Sequence, residues 1–292
     1  MSDTIQPFYG WVGGKRRLLD LIKLNLPREF GNYHEPFLGS GAVALQLMHE
    51  NADRTYYLSD LNTEMIAAWR AVRHDTDELV ALLEEHIARR SSEYFYAVRS
   101  WDERGLLSYK TQAERGARFL FLIHTGFRCQ WKENNEGHCR ATYGFPPPDD
   151  WEGPIRAAAA LLKDRDVHIE ARSFEAGISQ VRAGDMVYLD PPYATDDDLG
   201  RKTWDKYNAK QEGDLQQQVR SYIEQLGQQG AYVLASNAST ESTRELYRGL
   251  ATTSKATHWT GGGVNGNVGI ETLYGNPQLL AALRRQQRLQ AV

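Results

Sequence analysis

Met186-Val187-Tyr188-Leu189-Asp190-Pro191-Pro192-Tyr193 is the stretch of this 292-residue chain that carries the most chemistry. An apolar strand candidate ends there in an acid, two prolines and an aromatic. Pro191 and Pro192 lack backbone N–H groups and have a fixed φ, so the strand must stop and the loop after it is stiff. A stiff loop aims the Asp190 carboxylate, the neighbouring carbonyl oxygens and the Tyr193 ring at one point. Acceptors beside a flat aromatic suit a planar ring bearing an amino group: the acceptors hold the amine hydrogens while the aromatic stacks on the ring. A proline-rich turn alone would explain Pro191 and Pro192, but not an acid and a tyrosine in these places.

A second set of candidates lies near the start. His34-Glu35-Pro36-Phe37-Leu38-Gly39-Ser40-Gly41-Ala42-Val43-Ala44-Leu45 follows a short strand candidate at Asn32–His34 and runs into a helix pattern. Two glycines at a strand-to-helix turn let the backbone approach a ligand closely, with helix-start amides facing it. No Gly-Lys-Ser/Thr closes the turn, so it is not a phosphate-binding P-loop. Asp60 ends the next strand candidate, nineteen positions after Gly41. That is the spacing at which nucleotide-binding sheets present an acid to ribose hydroxyls, and a charge-assisted pair of bonds there is strong. The competing reading of Asp60 is an N-cap for a helix starting near Thr63. Upstream, Trp11-Val12-Gly13-Gly14-Lys15 has an order that no generic turn requires.

The elements that position these residues follow from pattern. Tyr56–Leu58, Val167–Ala171, Met186–Leu189 and Tyr232–Ala235 are short apolar runs, usually followed by helical stretches. Such alternation predicts an α/β fold with a doubly wound, mainly parallel sheet. Residues from about Leu61 to Gly126 are mostly of helical period, an insertion between the second and third strands. Gly144-Phe145-Pro146-Pro147-Pro148-Asp149-Asp150 reads as an extended connector, Ser236-Asn237 as following the fifth strand, and Leu279–Leu289 as an amphipathic tail helix. The chain carries 34 Lys+Arg against 38 Asp+Glu, a net charge of −4. Bulk charge therefore gives no support to a polyanion partner, and any nucleic-acid surface must be a local patch. Two cysteines build no disulfide framework, no apolar run reaches membrane-spanning length, and no signal-peptide pattern opens the chain, so a cytoplasmic protein is expected.

Taken in order, Trp11–Lys15, Glu35–Gly41, Asp60-Leu61-Asn62 and Asp190–Tyr193 resemble the motifs of the D12 class of DNA adenine-N6 methyltransferases, in which a target-recognition domain is inserted before the Asp-Pro-Pro-Tyr motif. The resemblance runs from Phe8 to about Asn276. It implies a Rossmann-like catalytic domain over 1–60 and 165–292, with a recognition insertion carrying a β-hairpin over 61–164. It also implies S-adenosylmethionine as methyl donor and transfer to the N6 of an adenine flipped out of double-stranded DNA. Asp190, Pro191, Pro192 and Tyr193 would be catalytic. Trp11, Lys15, Glu35, Pro36, Phe37, Gly39, Ser40, Gly41, Asp60, Ser173, Phe174 and Asp190 would bind the cofactor.

Residues 126–144 resemble the family segment whose β-hairpin enters DNA, with Asn134-Asn135-Glu136-Gly137 as its turn. Arg128, Lys132 and Arg140 are candidates for phosphates or guanine edges, and Asn134 or Gln130 for adenine. The segment lacks the family's usual Gly-x-Asn-Gly start and Phe-Asn-x-Pro-x-Gly end, which bears on the target sequence rather than on the reaction. His124, Cys129, His138 and Cys139 match no ordinary zinc spacing, and no metal is expected. Asp196–Asp198 with Trp204 and Tyr207 read as a loop that closes over the base. Gly261–Asn267 reads as a loop near the DNA backbone. The expected partner is double-stranded DNA; the sequence leaves the oligomeric state open, and a monomer is assumed. The alternatives are a catalytically silent DNA-binding regulator, or methylation of RNA or a protein amide.

Overall fold

The structure is a computed structural model, and it describes residues 4–193, 212–258 and 268–290. The expected loops at Asp196–Tyr207 and Gly261–Asn267 lie outside those residues. The strands are β1 (Tyr33–Glu35), β2 (Tyr56–Asp60), β3 (Val167–Ala171), β4 (Met186–Leu189), β5 (Tyr232–Ala238), β6 (Ala251–His258) and β7 (Val268–Gly275). They form a sheet in the order β3-β2-β1-β4-β5-β7-β6. β1 pairs in parallel with β2 and β4, and β4 with β5, whereas β7 runs antiparallel between β5 and β6. This is the mainly parallel, doubly wound sheet expected from the alternation of elements. All four residues of β4 are buried, as a strand covered on both faces requires. The strand order reverses between β1 and β4, and such a reversal opens a crevice at the carboxyl ends of the two strands. Glu35 ends β1 and Asp190 immediately follows β4.

One expectation is corrected. Ser236 and Asn237 are inside β5 rather than after it, because the register with β7 continues through Ser236↔Leu273 and Asn237↔Thr272 to Ala238↔Glu271. Antiparallel pairing to a strand that comes later in the chain is not visible in local pattern.

The chain packs as two compact units. The first comprises Met1–Gly14, Leu38–Asp53 and Ser59–Arg172. It holds α2 (Ala42–Glu50), α3 (Thr63–His74), α4 (Thr76–Ala88), α5 (Ser92–Arg99), α6 (Gln112–Thr125) and α7 (Glu152–Asp164). The Asn62 side chain caps α3 by accepting from the Met65 amide at 2.9 Å. Thr111 and Glu114 form a capping box on α6, satisfying two orphan donors at once. A fully buried Arg118 pins this helical block: Nε donates to the Val98 carbonyl at 3.0 Å and Nη2 lies 3.0 Å from the Asp102 carboxylate. Asp102 also accepts from the Cys139 amide at 2.7 Å, fastening the segment after α6 to the helices. That segment folds back on itself through bridges Gly126↔Tyr143 and Glu133↔Cys139. Its turn closes with the Gly137 amide donating to the Asn134 carbonyl at 3.0 Å, at the predicted place. It is a hairpin-like arm held by isolated bridges.

The second unit comprises Lys15–Phe37, Arg54–Leu58 and Ser173–Val292. It holds α1 (Leu19–Leu24), α8 (Glu212–Gln228), α9 (Glu241–Leu246) and α10 (Pro277–Gln290), the expected tail helix. Val187 and Leu189 of β4, Val233 and Ala235 of β5, and Val219, Ile223 and Leu226 of α8 share its core with Phe174, Tyr247 and Tyr274. Asp185, just before β4, accepts from the Asn32 amide at 2.8 Å and meets His34 at 3.1 Å, which ties β1 to β4 at their starts. Among the described residues no helix is long and apolar enough to cross a membrane.

Candidate active site

In the second unit, β4 delivers Asp190 to the sheet's carboxyl edge and the two prolines end the strand. Lys15, in a single 3-10 turn (Lys15–Arg17), places Nζ 2.8 Å from Asp190 Oδ2 and 3.4 Å from Glu271 Oε1 of β7. The same Nζ lies 4.9 Å from the centroid of the Tyr193 ring, within cation–π reach. The Tyr193 hydroxyl donates to Glu271 Oε1. Lys15 and Glu271 are buried, their side chains 6% and 8% exposed, and Asp190 keeps 19%. Burial raises the pKa of both carboxyls, and the Lys15 ammonium opposes that rise in each.

Asp190 Oδ1 is different. It is buried and has no hydrogen-bond partner among the described residues, while Oδ2 of the same carboxylate is held by Lys15. A buried acceptor left open costs free energy unless something donates to it. Beside it, Gln216 of α8 donates to the Pro192 carbonyl at 2.7 Å. Gln216 Oε1 in turn accepts from Asn237 Nδ2 at 2.8 Å and the Tyr247 hydroxyl at 3.0 Å. The proline segment is thus clamped from behind by a closed polar network.

Of the other expected cofactor residues in this unit, Glu35 is buried and its Oε2 accepts from the Tyr33 hydroxyl at 2.8 Å. Phe37, one residue after Pro36, stacks on Phe174 with centroids 5.1 Å apart. Phe174 itself packs edge-on to Tyr222 in the core. Ser173 stands immediately before the 3-10 segment that begins at Phe174.

In the first unit the glycine turn is built as its sequence predicts. Gly39 and Gly41 have φ of +47° and +62°, in the left-handed region. A Cβ on Gly39 would stand 3.1 Å from the Trp11 ring, and one on Gly41 2.5 Å from the Trp69 ring. Ser40 between them is buried. Asp60 closes on this turn: Oδ2 accepts from the Gly39 amide at 3.1 Å and Oδ1 from the Asn62 amide at 3.0 Å. Burial raises the Asp60 pKa, against amide bonds from Asn62, Gly39 and Leu61. Because Asn62 supplies the cap of α3, Asp60 is left to the glycine turn, so the capping alternative fails.

The expected DNA-contacting residues all fall on the hairpin-like arm. Arg128 and Cys129 both have positive φ, 59° and 51°, a conformation that L-residues rarely adopt. The Arg128 guanidinium lies over the exposed Phe127 ring at 5.2 Å. Asn134 spends its side-chain oxygen on the turn, accepting from the Glu136 and His138 amides at 3.1 and 2.9 Å. Arg140 is paired with Glu103, and Lys132 is half-buried on the same arm. Among the described residues no group of three or more His, Cys, Asp or Glu could hold a metal ion.

Sequence reasoning missed Glu271, Gln216 and Asn237. For Glu271 and Asn237 the available signal was a polar residue beside an apolar strand pattern, which burial penalises unless a partner is built for it; Gln216, on α8, carried no such signal.

The sequence profile of the D12 class N6 adenine-specific DNA methyltransferases matches residues 11–260. The Type II methyltransferase M.MjaIII of Methanocaldococcus jannaschii is 30% identical over 84% of this chain and 89% of its own length. The Type II methyltransferase M1.LlaDCHI of Lactococcus lactis subsp. cremoris is 29% identical over 84% and 85%. The DNA adenine methylase of Escherichia coli K12 is 28% identical over 82% and 84%.

Proposed function

Since the chain belongs to the D12 class of N6 adenine-specific DNA methyltransferases, we propose that it draws the methyl group from S-adenosylmethionine and receives its adenine flipped out of the DNA duplex. The observation that carries this reading is the acceptor at Asp190: a buried Oδ1 without a hydrogen-bond partner among the described residues, on a carboxylate whose other oxygen is fixed by Lys15.

The residues present fit the cofactor's chemistry. The first unit offers the Gly39-Ser40-Gly41 turn for the amino-acid end, Trp11 beside it, and Asp60 for the ribose hydroxyls. Lys15, Glu35, Pro36, Phe37, Ser173, Phe174 and Asp190 are the other residues proposed to bind the cofactor. S-adenosylmethionine supplies a methyl made electrophilic by its sulfonium, so the protein's task falls on the adenine. An exocyclic adenine amine is a weak nucleophile because its lone pair is delocalised into the ring. Hydrogen bonds donated by that amine to Asp190 Oδ1 and to the Pro191 carbonyl favour a tetrahedral nitrogen and stabilise the positive charge that grows on it. Tyr193 stacks on the extruded base, offsetting part of the cost of unstacking. Residues 61–164 would be the recognition insertion, with Arg128, Lys132, Asn134 and Arg140 of its arm toward the DNA.

The test is transfer of labelled methyl from S-adenosylmethionine to duplex DNA, compared between the protein and Asp190→Asn. The asparagine can offer one acceptor but no charge, and it should lower kcat by about 100-fold or more. Transfer by Asp190→Asn at the unmodified protein's rate would refute the assignment.

A further inference from the structure

Glu271 has no role in the chemistry described so far, yet it occupies the centre of the buried cluster. It meets Lys15 Nζ at 3.4 Å and accepts from the Tyr193 hydroxyl, while Lys15 reaches Asp190 at 2.8 Å. One ammonium therefore faces two carboxylates. Lys15 and Asp190 alone would be neutral; with Glu271 ionised the cluster carries one net negative charge.

We infer that Glu271 is a positioning residue for methyl transfer: it shares the Lys15 ammonium so that Asp190 keeps its acceptor strength for the adenine amine, and it fixes the Tyr193 ring by the phenol hydroxyl. This rests on the assignment of Asp190 and Tyr193 given above. The transition state places positive charge on the adenine nitrogen. A neutral Lys15–Asp190 pair gives that charge little net stabilisation, because the ammonium repels what the carboxylate attracts. A second carboxylate against the same ammonium offsets the repulsion and leaves the site attractive to a cation. The hydroxyl bond acts in parallel. A stacking ring held at its far end is already in place when the base arrives, and pre-organisation removes that ordering cost from the reaction.

The charged and titratable groups around Glu271 define what a pH profile would report. Lys15, Asp190 and Tyr193 face it directly. Tyr188 of β4 lies close enough that Asp190, Glu35 and Glu271 all act on its hydroxyl. Lys255 is its register partner on β6 but donates its ammonium to the Arg17 carbonyl at 3.1 Å.

The experiment compares methyl transfer by the unmodified protein, Glu271→Gln, Glu271→Asp and Asp190→Asn, with S-adenosylmethionine affinity by calorimetry and kcat followed across pH. Glu271→Gln keeps the size and an acceptor for Tyr193 but removes the charge. Its kcat should fall about 10- to 100-fold, with S-adenosylmethionine affinity changed less than about threefold. Its acid limb should move to lower pH, because Asp190 no longer titrates beside a like charge. Glu271→Asp keeps the charge one methylene back and should retain the original limb with a smaller loss. Unchanged kcat and limb in Glu271→Gln overturn the inference. So does an equal loss in both variants with an unmoved limb, which marks a purely structural residue, as does collapse of the fold in Glu271→Gln but not in Glu271→Asp without a shift in that variant's rate. If Asp190→Asn is fully active, the underlying assignment fails instead; if it is inactive while Glu271→Gln is normal, only this inference does.

Discussion

A single methyl group at Gly41 should damage both stability and cofactor binding. Gly41 adopts φ 62°, ψ 30° at the start of α2, and an alanine forced into the left-handed region costs about 1–2 kcal/mol. The added Cβ would also stand 2.5 Å from Trp69 Cη2 and Cζ2 and 3.2 Å from Leu38 Cδ1. Trp69 has little room to retreat. It is fully buried, packs edge-on to Phe8 with centroids 4.7 Å apart, and donates from Nε1 to the Tyr9 hydroxyl at 3.1 Å. Overpacking of this kind costs about 1–3 kcal/mol, so Gly41→Ala should lose about 2–5 kcal/mol in urea unfolding, with the m-value unchanged. The same shift should disturb the bond from the Gly39 amide to Asp60 and weaken S-adenosylmethionine binding by about tenfold or more, the equivalent of about 1.4 kcal/mol. Trp69→Phe removes the two clashing ring atoms. It is destabilising by itself, but combined with Gly41→Ala it should recover about 1–3 kcal/mol of the summed cost. A loss below about 1 kcal/mol in Gly41→Ala, or strict additivity in the double variant, would refute the clash as the cause.

Three further outcomes follow from the packing of the first unit. Burial holds the pKa of His124 down at about 4, and burial with Arg89 and Lys110 does the same for His86. The unfolded chain then protonates first, so stability is complete above about pH 6.5, declines as pH falls toward 4 and levels off below; the loss is about 3 kcal/mol per histidine. His124→Leu should flatten that slope by about half, and an unchanged slope in unfolding experiments between pH 7 and 4 counts against the assignment. Arg118→Met leaves Asp102 and Glu64 short of a buried cation and should cost about 3–5 kcal/mol; since Asp102 also holds the Cys139 amide, limited proteolysis within 126–144 should accelerate, and an unaltered digestion rate would show that the arm does not depend on this network. Asp60→Asn should raise the Kd for S-adenosylmethionine about 10- to 100-fold, the worth of a charge-assisted bond of about 1.5–3 kcal/mol, and calorimetry returning the original Kd would remove Asp60 from the cofactor site.

Much of this architecture could be read along the chain, for local reasons. Pro191 and Pro192 end β4 because they cannot continue its ladder, so an acid and an aromatic at a strand end were fixed by four consecutive residues. Gly39 and Gly41 announced a strand-to-helix turn, and the helical period from Leu61 onward located α3 to α6. The Asn134–Gly137 turn was legible for the same reason. By contrast, Ser236 and Asn237 read locally as following the fifth strand because they are polar, while pairing with β7 keeps them inside it. Nor did local pattern show that Asn62 rather than Asp60 caps α3.

The sequence by itself determined where strands stop, where the glycine turn forms and which acid is presented at the end of β4, since each depends on the conformational limits of a few neighbouring residues. Only the tertiary structure decided what those groups meet. Lys15 and Glu271 lie near opposite ends of the chain and become partners solely because β7 inserts between β5 and β6. Whether a buried carboxylate is neutralised, shared or left open depends on charges brought to it through space, and no local pattern records that.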